Sequence, residues 1–374
     1  MSTEPTVWIL GAGFSRSLGG RLLGDLFRPG TPGEESVFFP ADQYGDLGTA
    51  RYVVSATYTI GKGEQLWEDA EEFLAKVDEA WRGGRSSLKT KIHNVISRAY
   101  PHASGGQRGW PTRNTFLMFS PEFDRAARRA LAAECAAFLL EDDTTSELWS
   151  PYKHWAESLL PRCDTVVSFN YDLVPDRLSK FAPALQVLVP GEEYSRDKVL
   201  VLKLHGSIDW VDRDGVCSRS DFKEICRDPK TAVAIAAPGR SKLDQVQKMF
   251  EPLWELAEAA LKTAKKVVFL GYSFPRTDAL ARGRILSAIR SGKEFAQIDL
   301  VLGPPDVSQA VAARIAELLV SCAGGRAVSI GEKLVRGGIS HKGGAVFVRI
   351  NRSPLWAEDY IQIYEELGWP LERG

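Results

Sequence analysis

Short apolar runs divide the chain into a pattern of predicted strands, polar turns and helices. The first run, Val7 to Leu10, contains four apolar residues and ends at Gly11. Similar runs occupy 164–169, 199–204, 266–270 and 298–302. Short, mainly apolar runs of this length, bounded by glycine or polar residues, predict strands that are buried on both faces of a parallel sheet. With helical segments between them, they predict an α/β fold.

The segment between the first two runs is mostly helical by its spacing. Apolar residues recur at helical intervals from Trp67 to Trp81 and again over 131–139, with weaker helices predicted at 89–100 and 146–160. We therefore expect a helical insertion at 61–160 within a core formed by 1–60 and 161–330. The histidines of the insertion share no fixed spacing, so they are expected to be surface or packing residues.

Two further stretches have weaker patterns. Residues 16–28 are expected to form a helix, and 29–63 to form a Gly- and Pro-rich segment with a β-like stretch at 51–60. A loop of that length is typical of a lid or substrate loop, and the alternative is a surface excursion. At the other end, strands are predicted within 326–350.

A closing helix is predicted over 355–367. It presents Trp356, Tyr360 and Tyr364, and this aromatic face is expected to pack on the core or on a partner subunit. Residues 331–374 are therefore predicted to form a C-terminal extension that contacts another subunit of an oligomer or a partner protein.

Composition excludes several classes of protein. The 374 residues include 47 basic and 48 acidic ones, so the net charge of −1 creates no general attraction to nucleic acid or membranes. Five cysteines without a CxxC pair argue for a reducing compartment. The first apolar run is too short for a signal peptide, and no run approaches a membrane span. A cytoplasmic location is expected, and no metal, since Cys217 and Cys226 lack two further close ligands.

The first strand leads into the turn Gly11-Ala12-Gly13-Phe14-Ser15. Glycines allow a sharp turn and a close approach of backbone to ligand. Ser15 can cap a following helix, whose free N–H groups would suit a phosphate. Arg16 stands where the dinucleotide fingerprint has its third glycine, which indicates a nucleotide site of another kind. The alternative interpretation of the glycine turn is tight packing. Arg16 could reach a diphosphate, and the alternative is that its side chain is solvated.

Polar residues also follow the next three strands. Asn170 and Asp172 follow the second, His205 the third, and Gly271 begins the turn after the fourth. The carboxyl ends of parallel strands are where open α/β sheets bind ligands. Asn170 and Asp172 could instead cap the next helix. His205 is placed for proton transfer near pH 7, although a lone histidine is usually structural.

Four motifs taken together resemble the sirtuin superfamily: GAGFS at 11–15, FNYD at 169–172, LHGSID at 204–209 and GYSF at 271–274. They look most like its bacterial sirtuin-like branch, whose members are known mainly as NAD-consuming effectors of anti-phage defence. The resemblance covers 5–60 and 161–303. It implies a Rossmann-like parallel sheet with helices on both faces and NAD as the substrate, whereas the helical insertion and the last seventy or so residues rest on no motif.

The resemblance also implies roles for individual residues. Asn170 and His205 would be catalytic, with Asn170 orienting the nicotinamide ribose or a water. Asp172 would bind the nicotinamide amide. The other implied NAD-binding residues are Gly11, Ala12, Gly13, Phe14 and Ser15 at the diphosphate, Gly206 and Ser207 beside the histidine, and Gly271, Tyr272 and Ser273 at the adenosine half, with Asp278 a weaker candidate there.

One departure from the family pattern bears on function. Protein-deacylating sirtuins look built around a four-cysteine zinc module after the catalytic histidine, and this chain lacks it. The resemblance therefore favours hydrolysis of NAD to nicotinamide and ADP-ribose. A protein deacylase and a non-catalytic NAD- or ADP-ribose-sensing module remain as alternatives. A defence NADase also needs restraint, so we expect a homo-oligomer or a partner such as a ring-forming ATPase or a nucleic-acid sensor. No nucleic-acid-binding motif is apparent.

Overall fold

The computed structural model describes residues 5–27, 38–82, 87–99, 120–140, 144–160, 163–236, 246–275, 278–292, 296–320, 327–330, 333–335 and 347–367.

The described residues contain twelve strands, nine of which form one sheet. The strands are β1 (Thr6–Leu10), β2 (Thr165–Ser168), β3 (Leu185–Leu188), β4 (Val199–Lys203), β5 (Gly206–Arg213), β6 (Val216–Arg219), β7 (Val233–Ile235), β8 (Lys266–Leu270), β9 (Gln297–Val301), β10 (Ala327–Ile330), β11 (Lys333–Val335) and β12 (Phe347–Ser353). The large sheet has the order β11-β10-β12-β9-β8-β1-β2-β4-β3, and β6-β5-β7 form a second sheet. Every neighbouring pair in the large sheet is parallel except β10 and β11.

Helices surround the large sheet. In the described residues they are α1 (Ala12–Ser15), α2 (Ala41–Tyr44), α3 (Leu47–Gly63), α4 (Ala70–Arg82), α5 (Ser87–Ala99), α6 (Ser120–Leu140), α7 (Ser150–Ser158), α8 (Val174–Phe181), α9 (Phe222–Arg227), α10 (Glu251–Thr263), α11 (Ala279–Ser291), α12 (Pro305–Val320) and α13 (Ala357–Leu367). The predicted α/β, Rossmann-like fold is confirmed. None of the described helices has the length and apolar character that crossing a membrane requires.

Strand β1 lies at the centre of the large sheet. All five of its residues are buried, and it pairs with β2 on one side and β8 on the other. Leu10, its last residue, lies opposite Ser168 of β2 and Leu270 of β8. Because these strands are parallel and in register, the segments that follow them meet at one edge of the sheet. This brings together motifs that lie far apart in the sequence.

A second hydrophobic core lies within a helical lobe, which we define as α3–α6 together with the small sheet β5–β7. Its buried residues come from both parts, with Phe73 and Phe123 from the helices and Ile208 and Ile235 from the small sheet. The aromatic ring of Phe73 contacts those of Tyr58 and Trp67. The lobe therefore combines two segments of the chain that are separate in sequence.

Two local predictions are wrong. Residues 51–60, expected to be β-like, lie inside α3, because the buried positions 47, 50, 54 and 58 form one helical face that packs on α6. Residues 16–27 form two short 3₁₀ turns, at Arg16–Leu18 and Leu23–Asp25, rather than one helix. Gly19, with φ of 95°, ends the first turn. Of the predicted lid at 29–63, the part 29–37 lies outside the described residues and most of the remainder is helical.

The C-terminal segments complete the sheet. Strand β12 pairs in parallel with β9 and with β10, so it extends the main sheet by one edge. Helix α13 packs on α7, and the ring of Tyr364 meets Trp8 of β1 edge-on at 4.9 Å between centroids. The expectation that its aromatic face packs on the core is confirmed for Tyr360 and Tyr364, whereas Trp356 precedes the helix. Of the range 326–350, where strands are predicted, residues 326, 331–332 and 336–346 lie outside the described residues.

Candidate functional site

A cavity of about 350 Å³ opens at the carboxyl edge of the large sheet. Its sheet wall consists of residues that follow four strands: Gly11, Ala12, Gly13, Asn170, Tyr171, Asp172, His205, Gly271, Tyr272, Ser273 and Asp278. Its helical wall includes Leu26, Glu71 and Cys135. A C-terminal wall includes Gly303, Ser308 and Trp356. The volume lies in the range of small-molecule sites, which run from about 300 to 1,000 Å³.

The glycine turn after β1 packs directly on the turn after β8. The Gly13 N–H donates to the Gly271 carbonyl at 3.2 Å. A Cβ on Gly11 would lie 2.5 Å from the Gly271 oxygen, and one on Gly271, whose φ is 70°, would lie 2.5 Å from Gly13 Cα. No side chain fits at that separation. Close packing of the two turns thus accounts for these glycines, and the packed pair still forms part of the cavity lining.

Ser15 joins the motifs after β1 and β2. Its hydroxyl donates to Asp172 Oδ2 at 2.8 Å and accepts from Asn170 Nδ2 at 3.2 Å. It makes no capping hydrogen bond, so the prediction that Ser15 caps a helix is wrong. Phe14 is buried against Tyr152 and Trp155 and does not line the cavity. Residues 11–13 of the turn therefore line the cavity, whereas the side chains of Phe14 and Ser15 do not.

Asn170 and Asp172 are both buried and held by several partners. Asn170 Nδ2 also donates to the Gly11 carbonyl at 2.9 Å, which fixes the amide against the first turn. Asp172 Oδ1 accepts from the Val174 N–H at 3.0 Å, at the start of α8. The N-cap of α8 is Leu173, so Asp172 bonds to the first turn from the residue before the N-cap, and it also lines the cavity. Burial raises the pKa of the Asp172 carboxyl, and the Lys203 ammonium opposes that rise.

Lys203, the last residue of β4, forms hydrogen bonds with the loop that contains Asp172. Its ammonium is fully buried, donates to the Asp172 carbonyl at 2.6 Å and lies 3.2 Å from the Asp176 carboxylate. Burial alone would raise the pKa of Asp176, but Lys203 and Arg219 lower it below its ordinary value. A buried lysine is stable only with such partners. Lys203 is not among the residues predicted for the site, although a lysine inside a mainly apolar run is a signal of a buried polar role.

His205 and Asp278 form a second buried cluster. His205 Nε2 lies 3.2 Å from Asp278 Oδ2, and the Tyr272 hydroxyl donates to the same oxygen at 3.1 Å. Phe169 meets the His205 ring edge-on at 4.8 Å and stacks on Tyr272 at 4.3 Å. Burial and the nearby Asp278 raise the pKa of Tyr272 well above its ordinary value, so its phenol remains a donor. Asp278, expected near the adenosine half, thus meets the predicted catalytic histidine.

The two residues after His205 do not line the cavity. Gly206 has a φ of 81°, and a Cβ there would lie 2.0 Å from the Ala234 carbonyl oxygen of the small sheet. Ser207 is fully buried and donates to Asp209. Packing where β4 meets β5 therefore accounts for the presence of both residues. Ser273, in contrast, lines the cavity and is exposed.

Arg16 lines the cavity beside the glycine turn, and its guanidinium lies over the ring of Trp356 at 4.0 Å from the centroid. The ring in turn covers Gly303, where a Cβ would lie 2.3 Å from it. The arginine is therefore stacked, although it is exposed. Trp356 was not predicted to line the cavity, and no sequence pattern near it indicates that role. Glu71 and Cys135 in the helical wall were not predicted either.

Comparison with known proteins covers part of this site. Residues 164–316 match the model of the SIR2-like domain family. The matched range contains Asn170, His205 and Asp278, while the glycine turn and Trp356 lie outside it. No curated protein matches the chain. The match supports a sirtuin-like core and NAD-related chemistry. Among the described residues, no group of three or more His, Cys, Asp or Glu side chains is arranged to hold a metal ion.

Proposed function

We propose that the protein hydrolyses NAD to nicotinamide and ADP-ribose. One observation carries the proposal: Asn170 and His205, from the ends of two adjacent strands, line the same cavity as the glycine turn. The SIR2-like match over 164–316 supports NAD as the substrate. Arg16 supplies a positive charge beside the glycine turn, where a diphosphate would need one.

The chemistry of the reaction requires few protein groups. When the glycosidic bond of NAD breaks, the bonding electrons return to the pyridinium nitrogen, and nicotinamide leaves as a neutral base. Unlike an ordinary glycoside, this leaving group needs no proton from a general acid. Water then bonds to the ribose carbon and loses one proton. The protein must therefore position the ribose, accept that proton and limit access by other nucleophiles.

Asn170 and His205 have the surroundings that these tasks require. The two hydrogen bonds from Asn170 Nδ2 hold its amide in one orientation, and its oxygen can accept from a ribose hydroxyl or from water. His205 accepts the proton, because an imidazole is the side chain best suited to that transfer near neutral pH. Both side chains are more than nine-tenths buried, which limits their motion and their contact with bulk water.

The test follows nicotinamide and ADP-ribose by chromatography after purified protein is mixed with NAD and no peptide. We expect release by wild type and at least about a hundredfold less by Asn170→Ala and His205→Ala. His154→Ala, which alters an exposed histidine on α7, is the matched control and should keep full activity. NAD binding without release, both by the purified protein and in cells after phage infection, would indicate a sensing module, whereas silence of the purified protein alone would indicate a missing activator. Release that requires an acylated peptide would indicate a deacylase. Either result would overturn the proposal.

We also propose that this activity serves as an NAD-depleting effector in bacterial anti-phage defence, restrained by an oligomer or a partner until infection. The resemblance of the four strand-end motifs to that branch supports the proposal. In bacteria that express the protein, cellular NAD should fall after phage infection with wild type and not with Asn170→Ala. A monomer that is fully active in growing, uninfected cells would contradict the restraint.

A further inference from the structure

The environment of His205 holds a carboxylate that the proposed reaction has not yet used. Asp278 follows β8 and is 2% exposed, so its carboxylate is shielded from bulk water. Its Oδ2 lies 3.2 Å from His205 Nε2 and accepts from the Tyr272 hydroxyl. A buried carboxylate at this distance favours the charged form of a histidine.

We propose that Asp278 is the positioning residue for His205, stabilising its imidazolium form. In this arrangement His205 takes the proton that water loses as its oxygen bonds to the ribose carbon. Asp278 remains ionised and pairs with the resulting positive charge. Tyr272 holds the carboxylate in place through its hydroxyl. The catalytic part of this inference rests on the proposed function, whereas the pairing of the two side chains can be measured without turnover.

Other ionisable groups face the cluster and must be distinguished from Asp278. Tyr171 stacks near the His205 ring at 6.1 Å, and burial raises its pKa well above the ordinary value, so it is neutral. The charged groups that interact with Tyr171 or Tyr272 are Asp278, Glu71 of α4, Arg128 of α6 and Arg282 of α11. Burial also raises the pKa of Cys135, which keeps that thiol neutral. Glu71 is therefore the carboxylate to compare with Asp278.

The decisive measurement is an NMR titration of the histidine side chains without NAD, with the His205 resonance assigned from its loss in His205→Gln. Burial by itself lowers the pKa of a histidine. We nevertheless expect the pKa of His205 in the wild type to exceed the ordinary histidine value of about 6.5. In Asp278→Asn the pKa of His205 should fall by about one unit or more, and in Glu71→Gln by clearly less.

A second measurement follows the rate of NAD hydrolysis against pH. Because His205 must be neutral to accept a proton, the rate falls on the acidic side as His205 becomes protonated. In Asp278→Asn this acidic limb should move to lower pH by the same shift as the NMR value. The plateau rate should drop about tenfold, because the histidine is a weaker base. Asp278→Glu should recover part of both effects.

The outcomes separate the inference from the proposed function. If wild type releases no nicotinamide either as purified protein or in cells after phage infection, hydrolysis fails, and the NMR titration still decides the pairing. The pairing is overturned if the pKa of His205 is the same in wild type and Asp278→Asn, or if Glu71→Gln lowers it equally. Should Asp278→Asn not fold, the wild-type value decides: a His205 pKa at or below the ordinary histidine value of about 6.5 rejects the pairing.

Discussion

The sheet wall and the helical wall of the cavity are built by different physical means. In the sheet wall, turns from distant segments meet backbone to backbone, as at Gly13 and Gly271, and buried polar side chains join them, as Asn170 does with the Gly11 carbonyl. Behind the helical wall lie interlocking aromatic rings, with Phe73 at their centre. One wall is specified by hydrogen bonds and the absence of Cβ atoms, the other by side-chain volume.

This difference determines how each wall tolerates change. A hydrogen-bonded backbone contact cannot accept an added methyl group without moving a whole turn. An aromatic core can be repacked by residues of similar volume with modest loss. The sheet wall is therefore expected to be sensitive to the smallest additions, and the helical wall to removals. The predictions below test this contrast, beginning with the largest expected effect.

Removal of Phe73 tests the helical wall. Its ring is fully buried and contacts Phe27 at 5.6 Å and Trp67 at 4.8 Å between centroids. Phe73→Ala should lower the free energy of unfolding by about 4 kcal/mol, because such substitutions leave a cavity. Phe73→Leu, which keeps most of the volume, should cost less than half as much. Chemical denaturation measures both. Equal losses for the two variants would contradict a wall that depends on volume.

Addition of one methyl group tests the sheet wall. Gly271→Ala places a Cβ 2.5 Å from Gly13 and demands a φ of 70° from alanine. It should lower the free energy of unfolding by about 3 kcal/mol. Gly283→Ala is the matched control, because nothing lies within 4 Å of its Cβ position in α11. It should be neutral or stabilising by up to about 1 kcal/mol. Similar values for the two variants would remove the contrast.

The sequence predicted the sheet wall well for a physical reason. Strands buried on both faces, such as β1 and β8, are continuous apolar runs, so they are visible without knowledge of their neighbours. The residues after them gather at one edge because the strands are parallel. Asn170 and His205 therefore meet in one cavity, as their positions after successive strands indicated.

What the sequence did not predict depends on partners distant in the chain. Residues 51–60 contain β-branched Val53 and Val54, yet they are helical because their apolar face packs on α6. The contact of Asp278 with His205, which lies 73 positions earlier in the sequence, forms only because β8 brings the two residues together. Trp356 enters the cavity because α13 folds back toward Arg16. Neither residue lies in a local pattern that would mark these contacts.

Arg16 connects the sheet wall to the C-terminal wall, and its removal should have an intermediate effect. If it binds the diphosphate, Arg16→Ala should weaken NAD binding about tenfold, the loss of one charged hydrogen bond. Trp356→Leu, which removes the ring that orients the guanidinium, should weaken it less. Calorimetry in a His205→Ala background avoids turnover. Arg213→Ala, at the exposed last residue of β5, is the control and should bind normally. Unchanged affinity in Arg16→Ala would assign that side chain to the surface.

The smallest expected effect concerns the charge of Asp172 in the sheet wall. Burial raises the pKa of this carboxyl in the folded protein, whereas the unfolded chain keeps a value near about 3.9. The folded state therefore binds the proton more tightly, and lowering the pH stabilises it until the unfolded value is reached. Compared with Asp172→Asn, wild type should gain stability from pH 7 to pH 4, by about 1.4 kcal/mol per unit of pKa difference.

Denaturation series of wild type and Asp172→Asn at several pH values measure this gain. The sign of the result is informative about the sheet wall. If wild type instead loses stability relative to Asp172→Asn as the pH falls, the Lys203 ammonium outweighs burial and the carboxylate is held charged. The sheet wall would then depend on ion pairing at this position. A gain at low pH would mean that hydrogen bonds from Ser15 and Val174 hold a carboxyl whose charge is costly, which matches a wall built from fixed backbone contacts.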